Sequence, residues 1–465
     1  MFVFFNAFMS LFPKHIFKAY DIRGLADTEL TPELFYRVGR ATVVYTNAQK
    51  VYVGGDMRAS TEKLKKALVE GLTDQGAAVV DMGLVSTPML NVMTLREETA
   101  DLGVMVTASH NPAEYNGCKF IYKRTMMPIG LDSGLSQIRD MAEKYNFVEA
   151  EKGTAETRNL ETDYINFTRS RVDLDGLKTL KLVVDTGNGI EGALIDKLLA
   201  NLPVEAHYLY KEPDGRFPNH EPNPLKYETL KVLQKKVVEL GADVGFAFDA
   251  DADRVGLVDE KGNIVPGDKI LALLAPEVLK NKPGQSVLYD VRCSRSVPER
   301  ILQSGGRPIE VKVGRTLIIQ NMRKENAALG GELSAHFYYQ DLFGFESGDL
   351  TLLYILKIIS EAGATLSELI SPFNKYFHSG EINFEVKDKD KTIKELEKKY
   401  SVEAKKIFKL DGLKIIFSDW WFSARKSNTE PLLRLVVEAD NEEKMKEKIE
   451  EISQLIQPGL PLSVV

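Results

Sequence analysis

Three aspartates at alternate positions, Asp249, Asp251 and Asp253, are separated only by alanines too small to obstruct them. In an extended or tightly looped segment, carboxylates spaced in this way converge on one point. Uncompensated they repel one another, so a cation is their natural partner. A set of oxygen donors suits Mg²⁺ or Ca²⁺ and not zinc. A second stretch able to do chemistry, residues 103–120, runs from an apolar strand into a loop punctuated by Asn111-Pro112 and Asn116-Gly117. Ser109 falls just past the strand end, where α/β sheets place reacting groups. His110 beside it can activate a hydroxyl, and Lys119 can supply positive charge or act as a general acid or base. No Gly-x-Ser-x-Gly elbow surrounds the serine. Composition and spacing make this loop a candidate phosphoryl site and go no further.

Rival readings of the aspartate run are each incomplete. An EF-hand loop takes carboxylates at its first, third and fifth positions and a glutamate at its twelfth, and Glu260 falls there. Its sixth position must be glycine for the turn, however, and here it is Arg254. Residues 255–258 also read as a strand, not as the entry to a helix. A phosphatase with an aspartate nucleophile at a strand end leaves Ser109 without a role. A solvated acidic loop sits poorly with the apolar strand residues on either side.

The elements that must position these groups alternate in type. Residues 50–55 read as a strand ending in glycine, 60–75 as a helix with Ser60 at its N-cap, and 77–81 as the next strand. The same beat recurs at 180–185, 188–199 and 204–210, and again at 286–290, 296–304 and 308–313. Strand–helix–strand repetition predicts parallel sheets with helices on both faces. The last part differs: strands at 380–386, 413–417 and 432–438 and helices at 391–400 and 441–455 predict a small α+β domain. Boundaries near residues 155, 260 and 375 give segments 1–155 with the serine loop, 156–260 with the aspartates, 261–375, and 376–465. Clefts between domains are the usual home of small-molecule sites.

The bulk numbers agree with this division. A chain of 465 residues exceeds what one hydrophobic core fills. Sixty Lys and Arg against 67 Asp and Glu leave a net charge of −7, without the broad basic surface that nucleic acid requires. Any phosphate site must therefore be a local cluster of Arg and Lys. The two cysteines, Cys118 and Cys293, make neither a disulfide framework nor a metal pair, so a reducing, cytoplasmic setting is expected. No membrane segment is read. Residues 1–12 are apolar but too short to span a bilayer and lack a basic n-region. They read as a frayed extension, or as residues ahead of a true start at Met9, rather than as a signal peptide.

Five separated motifs, taken in order, resemble those of the α-D-phosphohexomutases. They are Tyr20-Asp-Ile-Arg-Gly24, Thr107-Ala-Ser-His-Asn-Pro112, the run from Asp249 to Arg254, Gly331-Glu-Leu-Ser-Ala-His336 and Arg425-Lys-Ser-Asn-Thr-Glu-Pro431. The resemblance implies three similar mixed-sheet α/β domains and a smaller C-terminal α+β domain around a central cleft. It implies that Ser109 is a phosphoserine whose phosphoryl oxygen, with Asp249, Asp251 and Asp253, holds Mg²⁺. The phosphoenzyme donates to a hexose monophosphate; the resulting hexose 1,6-bisphosphate reorients and returns its other phosphoryl group to the serine. By the same resemblance Arg425, Ser427, Asn428 and Thr429 clamp the non-reacting phosphate, and Glu332 and Ser334 read the sugar hydroxyls. Arg23, His110, Lys119, Arg254 and His336 become cleft residues that position substrate or move protons, and Tyr20, Arg292 and Arg315 contact the substrate. The bland alternatives are a packed core role for His336 and solvated surface charge for Lys426 and Arg434.

Residues 331–337 and 343–348, with Asp290-Val-Arg-Cys293 and Pro218-Asn-His-Glu-Pro222, resemble the bacterial phosphomannomutase/phosphoglucomutase branch. Phosphoglucosamine mutases carry glycine where Asn428 stands. Alanines at 250, 252 and 335, Arg292 in place of a lysine and Arg315 in place of a histidine depart from that pattern, and they bear on sugar preference. The expectation is an isomerase acting on a phosphosugar, mannose phosphates first and glucose phosphates second, with hexose 1,6-bisphosphate as activator and neither nucleic acid nor membrane as partner. A phosphoglucosamine mutase and a non-catalytic phosphosugar-binding paralogue are the alternatives.

Overall fold

The computed structural model describes residues 12–427 and 432–457. Residues 1–11, Asn428 and Thr429 lie outside the described residues. The chain divides into two compact units, one of Met1–Val85 with Met93–Leu160 and one of Ser86–Val92 with Glu161–Val465.

The first unit is built on a seven-stranded mixed sheet. Its main path runs Ile22–Leu25, Tyr115–Tyr122, Leu102–Val106, Lys50–Gly55, Ala78–Leu84, Ala155–Thr157, and Met127–Pro128 pairs with Tyr115–Tyr122. The expected parallel order holds from Leu102–Val106 to Ala155–Thr157. Tyr115–Tyr122 returns antiparallel on both sides, which makes the sheet mixed. The reason is length: a parallel return needs a crossover of about a dozen residues or more, and the serine loop is too short for one. Lys50–Gly55 is buried at every position after its first, as a strand covered on both faces must be. The helices Pro32–Thr46 and Thr61–Asp74 meet at glycines. A Cβ on Gly71 would stand 2.1 Å from the Tyr36 carbonyl oxygen, and one on Gly39 would stand 2.5 Å from that of Leu68. Ser60 precedes the second helix but does not cap it. Its backbone is already helical, and its hydroxyl instead accepts from Asn116 Nδ2 at 2.8 Å.

The second unit holds three sheets. One runs Ile264–Val265, Val255–Asp259, Val244–Phe248, Leu180–Asp185, Val204–Leu209, with the last three parallel and the first two antiparallel. Another runs Arg307–Val311, Ser286–Asp290, Leu329–Gly331, Phe337–Tyr339, Phe345–Glu346, again part parallel and part antiparallel. The third has six strands, all antiparallel, with Trp420–Lys426 and Leu432–Ala439 as its longest pair. Trp420, Phe422, Leu433, Leu435 and Val437 form its core with Leu396 of the helix Lys389–Tyr400 and Ile452 of the helix Glu442–Ile456. The fold is thus three mixed α/β sheets and one α+β domain. The helix expected from residue 188 begins at Glu191, because Gly187 and Asn188 turn through left-handed backbone (φ 53° and 58°). Among the described residues no single helix is long and apolar enough to cross a membrane.

Candidate active site

The strand Leu102–Val106, buried throughout, delivers the chain into the loop that carries Ser109. Ser109 has φ of 52°. A non-glycine residue holds that left-handed conformation at a cost of about 1–3 kcal/mol, so its surroundings must impose it. Arg58 imposes it. Its shielded guanidinium pairs with Asp56 at 3.1 Å. It also donates to four loop carbonyls, through Nη2 to Ser109 at 2.7 Å and Asn111 at 2.6 Å, and through Nη1 to Pro112 at 2.6 Å and Tyr115 at 3.0 Å. Asp56 accepts from Thr107 Oγ1 at 2.7 Å, and Thr107 Oγ1 accepts from the Ser109 amide at 2.9 Å. One buried ion pair therefore braces the serine from both sides. The Ser109 hydroxyl lies 3.2 Å from His110 Nδ1, within reach of a base. Arg23 comes from the strand Ile22–Leu25; its Nη1 donates to Asn111 Oδ1 at 2.9 Å and its Nη2 pairs with Asp21 at 2.5 Å. Lys119 is buried on Tyr115–Tyr122 opposite Met105, and Tyr20 is half-buried just ahead of Ile22–Leu25.

In the second unit the aspartates occupy the turn between Val244–Phe248 and Val255–Asp259. Val255–Asp259 pairs back antiparallel, which removes the helix exit an EF-hand needs. Ala252 takes φ of 59°, and the amides of Ala252 and Arg254 turn inward onto the Asp249 carbonyl (3.1 Å) and Asp249 Oδ1 (3.1 Å). Neighbouring segments grip the loop's own carbonyls. The Ile190 amide donates to Ala250 at 2.9 Å, the Gly348 amide to Ala252 at 3.3 Å and the Thr87 amide to Asp251 at 3.0 Å. Thr87 Oγ1 adds a 2.5 Å bond to Asp251 Oδ2. So held, the three buried carboxylates bring oxygens within 4.8 Å of one another. Arg254 Nε stands 3.7 Å from Asp249 and 4.0 Å from Asp253, but one guanidinium does not neutralise three carboxylates. Anions collected away from water need a countercharge, and this oxygen-only set fits a hard divalent cation.

From Asp253 a line of charged groups leads away. His336 Nε2 is 3.3 Å from Asp253 Oδ1 and its Nδ1 is 2.8 Å from Glu332 Oε2, while Arg254 Nε approaches the same Nε2 at 3.0 Å. Burial and Arg254 push the imidazolium pKa down, but the two carboxylates overcome both and hold it up at about 9. Glu332 also accepts from the Tyr338 hydroxyl at 2.8 Å and stands 3.8 Å from Arg292 Nη2. Burial would raise its pKa; His336, Arg292 and Tyr338 hold it down at about 2, so it is an acceptor at neutral pH. Arg292 forks onto Asp290 at 3.0 and 2.7 Å, and its Nη2 is 3.3 Å from Ser334 Oγ. Its Nη1 is 3.4 Å from Glu381, which also binds Arg425 at 2.8 Å and Arg434 at 3.1 Å. Ala335 turns this loop at φ of 63°, and its carbonyl accepts from the Val255 amide at 3.3 Å, tying it to the strand after the aspartates.

Asp253, Arg254, His336, Glu332, Ser334, Arg292 and Arg425 are thus brought together within one unit. Arg315 lies in the same unit, close enough to Asp253 and Tyr338 for their charges to act on it; it donates to buried Glu346 at 2.5 Å and, with the Asn91 carboxamide turned to accept, to Asn91 at 3.1 Å. The Ser427 amide bonds the Leu432 carbonyl at 2.9 Å. Lys426 is an exposed partner of Asp390, as the bland reading has it; Arg434 is not surface charge but part of the Glu381 cluster. Sequence reasoning missed Asp56 and Arg58, although an Asp-x-Arg directly after a glycine-ended strand was a usable signal. It also missed Thr87 and Glu381, which carry no local signal at all.

Comparison with known proteins gives the family of the whole chain. Family models described as phosphoglucomutase/phosphomannomutase, alpha/beta/alpha domains I, II and III, match residues 14–148, 162–262 and 266–376, and the model for the C-terminal domain matches 381–455. A phosphomannomutase of Methanocaldococcus jannaschii is 41% identical over 445 residues, 95% of this chain and 97% of its own. A Pseudomonas syringae phosphomannomutase/phosphoglucomutase is 38% identical over 448 residues, 94% of each. The crystal structure of a phosphoglucomutase/phosphomannomutase family protein from Burkholderia thailandensis aligns with a TM-score of 0.88 and 32% identity, covering 96% of this chain and 99% of that one. With all four domain models matched in order and close relatives spanning nearly its full length, this chain belongs to the phosphoglucomutase/phosphomannomutase family of isomerases.

Proposed function

We propose that this enzyme interconverts hexose 6-phosphate and hexose 1-phosphate through a phosphoserine at Ser109 and a hexose 1,6-bisphosphate, with mannose phosphates preferred and glucose phosphates second. One observation carries the reading: the contacts from Asp253 through His336, Glu332 and Arg292 to the Arg425 cluster are unbroken. Groups suited to a metal, a sugar hydroxyl and a distant phosphate are therefore parts of one network. Boundaries near residues 155, 260 and 375 and a cytoplasmic setting belong to the same reading, and two free, buried cysteines fit a reducing compartment.

In this mechanism Asp249, Asp251 and Asp253, with the seryl phosphate, would hold Mg²⁺. A cation held there would supply positive charge against the negative charge developing on the phosphoryl group. The braced loop presents Ser109 Oγ in a single orientation, and His110 takes the hydroxyl proton when the serine accepts phosphate. Arg23, Lys119 and Arg254 balance phosphoryl charge. Ionised Glu332 and Ser334 accept and donate to the sugar hydroxyls, and His336 holds a proton beside them. Arg425, Ser427, Asn428 and Thr429 grip whichever phosphate is not reacting, while Tyr20, Arg292 and Arg315 complete the substrate contacts.

The test is comparative kcat/KM on mannose, glucose and glucosamine 6-phosphates with a hexose 1,6-bisphosphate activator. Turnover of mannose and glucose phosphates without accumulation of free phosphate is expected; activity confined to glucosamine phosphate overturns the sugar assignment. Ser109→Ala should lose nearly all turnover, and full activity in that variant would remove the phosphoserine from the mechanism.

A further inference from the structure

The C-terminal sheet sets two guanidinium groups against each other. Arg425 and Arg434 are direct cross-strand partners in the pairing of Trp420–Lys426 with Leu432–Ala439. Like charges so placed destabilise a sheet. Arg425 is also only 2% exposed, and a guanidinium out of water needs an anion beside it. Glu381 supplies that anion. It directly precedes Ile382–Glu385, the strand on the opposite edge of Leu432–Ala439, and its carboxylate takes Arg425 Nη2 at 2.8 Å on Oε2 and Arg434 Nη1 at 3.1 Å on Oε1. Arg292 Nη1 adds a third contact at 3.4 Å on Oε2. Burial pushes the Glu381 carboxyl toward protonation, but the three arginines overcome it and keep the group ionised at neutral pH. A phosphate monoester offers these arginines three acceptor oxygens and up to two negative charges where Glu381 offers two oxygens and one, so it matches the same donors better.

We propose that Glu381 is the resident counter-anion of the phosphate clamp, holding Arg425, Arg434 and Arg292 while the clamp is empty and giving them up to the non-reacting phosphate of the substrate. The inference rests on reading Arg425 as a clamp residue. It assigns Glu381 a positioning role with a definite sign. The carboxylate preorganises the arginines and also competes with the phosphate, which lowers affinity at a site that the bisphosphate must leave in order to turn round. A residue that merely propped Arg425 in place would have the opposite signature, because its loss would weaken phosphate binding.

The experiment measures inorganic phosphate binding to the full-length wild type, Glu381→Gln and Arg425→Gln by calorimetry at fixed ionic strength. Arg425→Gln should weaken binding, while Glu381→Gln should tighten it by about tenfold or more, the scale of one like charge removed from a few ångströms in a shielded site. With hexose phosphate, Glu381→Gln should lower KM and kcat together, since release from the clamp slows. If Glu381→Gln folds poorly, phosphate should raise its melting temperature far more than it raises that of the wild type, by supplying the missing anion. Weaker or unchanged phosphate binding in Glu381→Gln, or no extra stabilisation by phosphate, overturns the inference. If Arg425→Gln leaves phosphate binding unchanged, the clamp reading itself has failed.

Discussion

Arg58 belongs to none of the motifs read from the sequence, yet the serine loop hangs on it. Four carbonyls and the Asp56 carboxylate converge on one buried guanidinium, a planar fork that an ammonium group cannot imitate. Arg58→Lys keeps the charge but cannot reach four acceptors, so Ser109 should relax from its left-handed conformation. The expected result is a kcat about a hundredfold lower, the usual consequence of misplacing a reacting group by an ångström, in a protein that still folds. A lysine variant with wild-type kcat would show that the loop holds itself. The aspartates make a companion prediction. Three buried carboxylates repel in the apo protein, so chelation should abolish turnover, and Mg²⁺ at a hundred times its Kd should stabilise the fold by about 2.7 kcal/mol. Asp251→Asn should lose most of that stabilisation in thermal melts, a readout independent of activity.

The helices Glu191–Leu199 and Gly348–Ala362 each donate an amide to the aspartate loop from the residue at their start, and each follows it with an acid: Glu191 after Ile190, Asp349 after Gly348. These two carboxyls are buried against each other, and Tyr164 donates to Asp349. Burial raises both pKa values; the Asp349 charge lifts Glu191 further, while hydrogen bonds from Glu191 and Tyr164 draw Asp349 partly back, so the pair keeps a proton that ordinary carboxyls lose. An acid whose pKa is raised by folding contributes stability that is complete below its unfolded value and is lost as pH rises through the folded one. Glu191→Gln should therefore stabilise the protein increasingly from about pH 4.5 upward and leave it little changed below that, the difference between the two unfolding curves being the measurement. A constant difference across pH would mean the pair is not sharing a proton. The sequence announced the first of these helices from its place between two strands, and it announced strand residues on either side of the aspartates; the helix Gly348–Ala362 was not read from it. It was silent on the pair, because the meeting of residues 158 positions apart is a product of sheet packing and leaves no local pattern. One reading failed for the same reason: Ser60 was expected to cap a helix, while a distant asparagine claims its hydroxyl.

At the scale of the molecule, the second unit owes its clamp to the docking of the C-terminal sheet on the sheet that carries Arg292. Arg295 bridges the two, donating to Glu438 at 2.8 Å and to Asp440 at 2.8 Å, and Trp421 Nε1 reaches the same Glu438 oxygen at 2.7 Å. Lys414 crosses from the other direction to Glu310 at 2.5 Å and to the Val291 carbonyl at 3.1 Å, and His378 Nε2 meets the Arg292 carbonyl at 2.8 Å. Recurrent strand–helix–strand units made the separate sheets legible from the chain alone, but the bridges between the sheets join groups 86 to 145 residues apart and could not be read in advance. Glu438 is fully buried, so Arg295→Met should strand a charge out of water and cost about 3–5 kcal/mol. In a chain of several domains that loss need not spread evenly, since cooperative units open separately. Hydrogen exchange should therefore accelerate across residues 378–456 and at the Arg292 turn, while Lys50–Gly55 and Leu102–Val106 of the first unit keep their protection. KM for hexose phosphate should rise as the clamp arginines lose their register with Arg292. Uniform loss of protection throughout the chain would mean that Arg295 supports global folding and that the clamp's geometry does not depend on how the C-terminal sheet is docked.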